Sequence, residues 1–167
     1  LGVVATDLHS GAQVVFRRGN TGMAVRASSS VPGVFQPVTI DGHEFVDGGV
    51  TSPVPVRAAR DMGADIIIAV DISKEPMRSK VEGTIDVLLQ TFLIMGRALA
   101  AQELQTADVV IVPATAELTT ASFESRHLAI LEGEKAAMAA VPRLREKIAE
   151  REARLRKVAQ EARRQAA

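Results

Sequence analysis

Pro37-Val38-Thr39-Ile40-Asp41-Gly42-His43-Glu44-Phe45-Val46-Asp47-Gly48-Gly49 is the stretch on which the reading turns. Two short apolar runs, one ending at Ile40 and one centred on Phe45, flank Asp41-Gly42. Asp-Gly between apolar runs predicts a hairpin, because a type I′ turn needs φ > 0 at both central residues. Asp47 closes the second run and is followed by two glycines. Without a Cβ, glycine lets the chain turn sharply after a strand and approach another group closely. A carboxylate at a strand end, on the rim of an α/β sheet, stands where catalytic groups usually sit. The competing reading is a turn aspartate that caps its own backbone, and spacing alone favours it.

On the N-terminal side, Leu1–Thr6 and Gln13–Arg17 read as strands joined through Ser10-Gly11. Met23–Ser30 has helical spacing and stops before Val31-Pro32-Gly33. On the C-terminal side, Val54–Met62 reads as a helix with Gly63 as its stop. Ile66-Ile67-Ile68-Ala69-Val70 is a continuous run rich in β-branched residues. Such runs fit strands of a parallel sheet that are buried on both faces, and Leu1–Thr6 is read in the same way. Lys74–Lys80 is a polar link and Val81–Ala107 a long helical stretch, with a break expected near Gly96. Val109–Val112 is a second buried strand, Thr115–Ser122 a loop, and two helices follow over 124–140 and 142–164. Strands alternating with helices define an α/β domain with a mostly parallel sheet flanked by helices.

Bulk composition narrows the function. The 167 residues are 47% hydrophobic, 24% charged and only 3% aromatic, with no Cys and no Trp. Few aromatic faces argue against nucleic-acid recognition by base stacking. Lack of cysteine excludes disulfides, thiol nucleophiles and Cys-ligated zinc. No run of eighteen apolar residues occurs, so a membrane span is not expected. Charge is divided unevenly. From Arg143 onward there are nine basic and four acidic residues, against eleven and sixteen before it. The expected domains are therefore 1–142 and a basic amphipathic helical tail, 143–167. Leu144, Ile148, Leu155, Val158 and Ala162 form a narrow apolar stripe on that tail. It suits packing on its own domain, with a partner helix or an anionic membrane surface as alternatives.

The segment Met23–Val38 ahead of Asp47-Gly48-Gly49 resembles the one that patatin-like phospholipases carry before their catalytic Asp-Gly-Gly. Ala5-Thr6-Asp7-Leu8-His9-Ser10-Gly11 is similar to the family's strand and turn at the start of this half. Gly63–Asp71 looks like its next strand, and Phe123-Glu124 with Gly133–Ala137 like the helical end of small bacterial members. The resemblance covers 1 to about 140 and implies that Asp47 is catalytic, with Gly48 and Gly49 supporting it. In that family a Ser–Asp dyad cleaves lipid acyl esters, the serine lying in a G-x-S-x-G elbow and a Gly-rich loop binding the oxyanion. Neither motif occurs in 1–167. The resemblance thus implies a partial patatin-like three-layer fold that lacks the N-terminal nucleophile half and is inactive alone. The expected partners are a lipid or acyl-ester substrate, and either the missing half or a second copy covering apolar surface. A non-catalytic lipid- or protein-binding module is the alternative. No metal or organic cofactor and no nucleic acid are expected, and cytoplasm with peripheral membrane contact is the default location.

Other candidates are weaker. Ser28, Ser29 and Ser30 lack the glycines that expose a nucleophile at a strand-to-helix turn. Asp7 with His9, or Asp41 with His43, supplies two metal ligands without a third, a pattern typical of surface turns. A His43–Asp47 triad lacks its elbow. Asp65 and Asp71 flank a strand and suit structural or capping roles, whereas Arg26 suits either a carboxylate partner or solvent. Phe92–Met95 reads as a core-facing helix before a lipid-gating lid.

Overall fold

The structure, a computed structural model, describes residues 1–73, 83–115 and 123–165. The Lys74–Lys80 link, Val81 and most of the Thr115–Ser122 loop lie outside the described residues. The chain divides into two compact units, one of Leu1–Ala64 with Asp71–Thr106 and one of Asp65–Val70 with Ala107–Ala167.

In the first unit, β1 (Val3–Asp7), β2 (Gln13–Phe16), β3 (Val38–Ile40) and β4 (His43–Asp47) form a sheet in the order β2-β1-β4-β3. Every pairing in it is antiparallel. This corrects the expectation of a mostly parallel sheet. Apolar content reports burial and not strand direction, and short connections such as Leu8–Ala12 join only antiparallel neighbours. The Asp41-Gly42 turn forms as its sequence predicts, with φ of 51° and 83°.

Helix α1 (Thr21–Ser28) starts at Asn20, whose side chain accepts the Met23 N–H at 3.1 Å. That contact satisfies one of the N–H groups that a helix start leaves unpaired. Its small residues Ala24 and Ala27 are buried, and Ala27 joins Ala5, Val38 and Phe45 in the core. Phe16 meets Phe45 edge to face, with ring centroids 5.0 Å apart. Phe45 thus anchors the strand that ends at Asp47. A short 3-10 turn, Gly48–Val50, follows β4, and helix α2 (Val56–Asp61) comes next.

Helix α3 (Thr84–Leu104) runs through Gly96 without a break. Gly96 lies against Pro53, Ala100 is buried, and Glu103 receives the Val54 N–H at 2.9 Å and the Ser52 hydroxyl. By length and composition α3 is apolar enough to cross a membrane, an 18-residue stretch of it having a mean hydropathy of 1.4. Its opposite face leaves Val87, Leu88, Ile94 and Met95 exposed.

In the second unit, β5 (Ile68–Val70) and β6 (Val109–Ile111) pair in parallel. Asp108 accepts the Ile67 N–H at 2.8 Å beside this pair. Ile67 and Ala69 are buried but Ile68 and Val70 are about half exposed. The apolar run therefore marks the strand correctly, yet only one of its faces is covered. The two helices expected at the C-terminus are one, α4 (Arg126–Gln165), with Pro142 inside it. Proline removes a single helical N–H, and here the helix continues on both sides of the gap.

Candidate functional site

Asp47 is the last residue of β4, and β1 and the turn after α1 hold its backbone. Its N–H donates to the Ser30 carbonyl at 3.0 Å. Its carbonyl accepts the Thr6 hydroxyl from β1 at 3.0 Å, and that hydroxyl also lies 2.9 Å from the Thr51 hydroxyl. The side chain is half-buried, and Oδ1 accepts the Gly49 N–H at 2.7 Å. Burial pushes the Asp47 carboxyl up from its ordinary value, and the Gly49 hydrogen bond only partly opposes it.

The two glycines are required by contact rather than by φ. A Cβ on Gly48 would lie 2.4 Å from the Val4 carbonyl oxygen. A Cβ on Gly49 would lie 2.9 Å from the Asp47 Oδ1 and 3.7 Å from the Phe92 ring. Gly48 thus lets the turn press against β1, and Gly49 lets its own N–H reach the carboxylate. Phe92 closes this side of the turn from α3. The capping contact read as the alternative for Asp47 is therefore present. It engages one carboxylate oxygen with one donor, and a capped carboxylate can still accept a proton through the other.

Asp7, at the end of β1, has the opposite surroundings. Its Oδ1 accepts the Ser10 N–H and the Ser10 hydroxyl, both at 2.8 Å, and the His9 N–H at 3.1 Å. Its Oδ2 lies 3.2 Å from the His43 Nδ1. The Ser10 bonds first, then His43 and the His9 N–H, hold this carboxyl down at about 2. His43 is thus partnered with Asp7 and not with Asp41 or Asp47, and His9 pairs with Glu44 at 2.9 Å. Among the described residues no group of three or more His, Asp or Glu is placed to hold a metal ion.

Of the three serines, Ser30 is buried, Ser28 is partly buried and Ser29 is exposed. Ser29 and Ser30 turn their hydroxyls back to close α1, Ser30 onto the Arg26 carbonyl at 2.7 Å. Ser30 is buried beside Asp47 through the backbone. Arg26 is exposed, Asp71 caps Ser73, and Asp65 pairs with Arg151. Sequence reading missed the brace made by Thr6 and Thr51. A threonine in an apolar strand carries no local mark of the residue it will meet forty positions away.

The architecture is a mixed α/β one with a burial-raised carboxylate at the end of a sheet strand. Residues 5–60, which contain that strand, match the family described as patatin-like phospholipase. Over 70 residues the chain is 43% identical to an uncharacterized NTE family protein of Mycobacterium tuberculosis, covering 42% of this chain and 19% of that one. It is 36% identical over 74 residues to patatin-like phospholipase domain-containing protein 6 of Homo sapiens, 43% of this chain and 5% of that one. A longer match, 28% identical, joins 83% of this chain to 28% of another uncharacterized NTE family protein, from Mycobacterium bovis. These matches support the patatin-like phospholipase family for this chain, which spans less than a third of each of these relatives.

Proposed function

We propose that Asp47 is the general base of a patatin-like acyl hydrolase acting on lipid esters, in a Ser–Asp dyad whose serine stands outside residues 1–167. The observation that carries this reading is a half-buried carboxylate at the end of β4, followed by two glycines that only close contact explains. A raised carboxyl pKa suits the role, because a base is most effective when its pKa approaches the working pH.

The Gly49 N–H fixes Oδ1, and Oδ2 is the oxygen we assign to the proton. In the first step Oδ2 takes the serine proton as the serine oxygen attacks the ester carbonyl. The proton then passes to the leaving alkoxide, releasing the alcohol and leaving an acyl-enzyme. In the second step Asp47 takes a proton from water, hydroxide adds to the acyl carbon, and the serine oxygen leaves reprotonated with the free acid formed. These residues contribute the base and its rigid support. By this reading they form part of a three-layer fold, and residues 1–167 alone are inactive.

The test is ester hydrolysis by the full-length protein that contains this chain. Asp47→Asn keeps the Gly49 contact and removes the base. Loss of turnover with unchanged circular dichroism supports the dyad, and unchanged turnover overturns it. The second reading, a non-catalytic lipid- or protein-binding module, is favoured by the cap that Asp47 makes on Gly49. It requires an inert full-length protein.

A further inference from the structure

We infer that the C-terminal part of α4 is a docking surface for an anionic lipid bilayer. This surface stands independently of the role of Asp47. From Glu152 to Arg164 every residue of α4 is exposed, a length of roughly 20 Å at 1.5 Å per residue. At 3.6 residues per turn, Ile148, Leu155 and Val158 fall on one side of the helix. They are 40%, 49% and 56% exposed. By the same spacing Arg154 lies on one shoulder of this strip, and Arg156 and Arg163 lie on the other together with Glu152, which is 3.6 Å from Arg156.

Charge selects the occupant. The tail from Arg143 has nine basic and four acidic residues, whereas the rest of the chain has the opposite excess, sixteen acidic against eleven basic. A second copy of the helix would bring like charge to like charge. A nucleic acid would satisfy the arginines and leave the aliphatic strip in water. An anionic bilayer satisfies both at once. The strip enters the boundary between headgroups and acyl chains, and the long arginine side chains keep their guanidinium groups among the phosphates. The acidic remainder of the chain is repelled by the same surface, which leaves the tail as the part that touches it. Because the strip is narrow, charge has to supply much of the binding, and the contact is salt-sensitive.

The experiment is co-sedimentation of the full chain with vesicles of phosphatidylcholine alone and of phosphatidylcholine mixed with phosphatidylglycerol. Binding is expected only to the mixed vesicles and weakens as salt rises. The triple variant Arg154→Glu, Arg156→Glu, Arg163→Glu should lose at least about a hundredfold in affinity, since each basic residue near an anionic surface contributes about fivefold, three such losses multiply to roughly 10², and the introduced carboxylates are repelled. Circular dichroism should not change, because all three positions are exposed. Three outcomes would overturn the inference. One is equal binding to both vesicle types, unaffected by the triple variant but lost on Leu88→Asp with Met95→Asp, which would place the surface on α3. Another is retention of the chain on duplex RNA with no vesicle binding. The third is absence of vesicle binding together with a tail-dependent dimer in light scattering.

Discussion

Asp7 and Asp47 end neighbouring antiparallel strands, at opposite ends of the pair, where Asp7 faces Phe45 and Asp47 faces Ala5. The same side chain on the same sheet meets two different fates. Asp7 collects three donors within its own turn plus His43, and its carboxylate is stabilised as the anion. Asp47 has one donor to its carboxylate and is half-buried, so burial dominates and the proton is held more tightly. What separates a structural carboxylate from one poised to take a proton is the number of donors set against the burial, not its position on a strand.

The test with the largest expected effect is Asp47→Asn against Asp7→Asn in the full-length protein. Losing a positioned base costs about 10²–10⁴-fold in kcat, so Asp47→Asn should fall by that much in an ester assay. Asp7→Asn should leave kcat within a small factor, because its carboxylate is committed to the Ser10 turn. Equal losses for the two variants would remove the distinction drawn here.

Next in size is Gly48→Ala. Its Cβ would collide with a backbone oxygen, which cannot rotate away, so destabilisation of about 1–3 kcal/mol is expected in urea unfolding. A neutral result would show that the turn can move off β1, and with it Asp47. Thr6→Val is smaller, at about 1 kcal/mol for the lost hydroxyl contacts, and it should lower turnover by loosening the Asp47 backbone.

The subtlest test uses pH. Asp7 is lowered from 3.8 to about 2, so its stabilisation is complete above 3.8 and is lost as pH falls toward 2. Asp47 is raised, so the cost of burying its charge is present at high pH and is relieved as pH falls through its folded pKa. Urea midpoints of the Asp7→Asn variant should therefore show a weaker acid limb between pH 4 and 2 than the parent. Asp47→Asn should remove a small gain in stability on mild acidification. In an ester assay of the full-length protein the acid limb of kcat/KM is expected above pH 3.8 and should disappear in Asp47→Asn.

Local chemistry made parts of this legible before any coordinates. Asp41-Gly42 needed only its own φ angles, and the turn formed as read. The helix starting near Met23 and the strand through Ile68 were legible for the same reason: periodicity and breaker residues act over a few residues. The failures have a common origin. Leu1–Thr6 reveals an apolar strand but not its neighbours, so the antiparallel sheet went unforeseen. Pro142 was read as a boundary because proline disfavours helix interiors, and one missing N–H did not suffice to end α4.

Residue order alone thus settled where most strands and helices lie, where the tight hairpin falls and how charge divides at Arg143. Folding in three dimensions decided the rest. It set Val4 against Gly48, Thr6 against the Asp47 carbonyl, Phe92 over Gly49, and His43 on Asp7 instead of Asp47. The reason is physical. Turn and helix preferences depend on dihedral energies within a few residues, whereas burial and donor count depend on partners tens of positions away, and those two quantities set the pKa of a carboxylate.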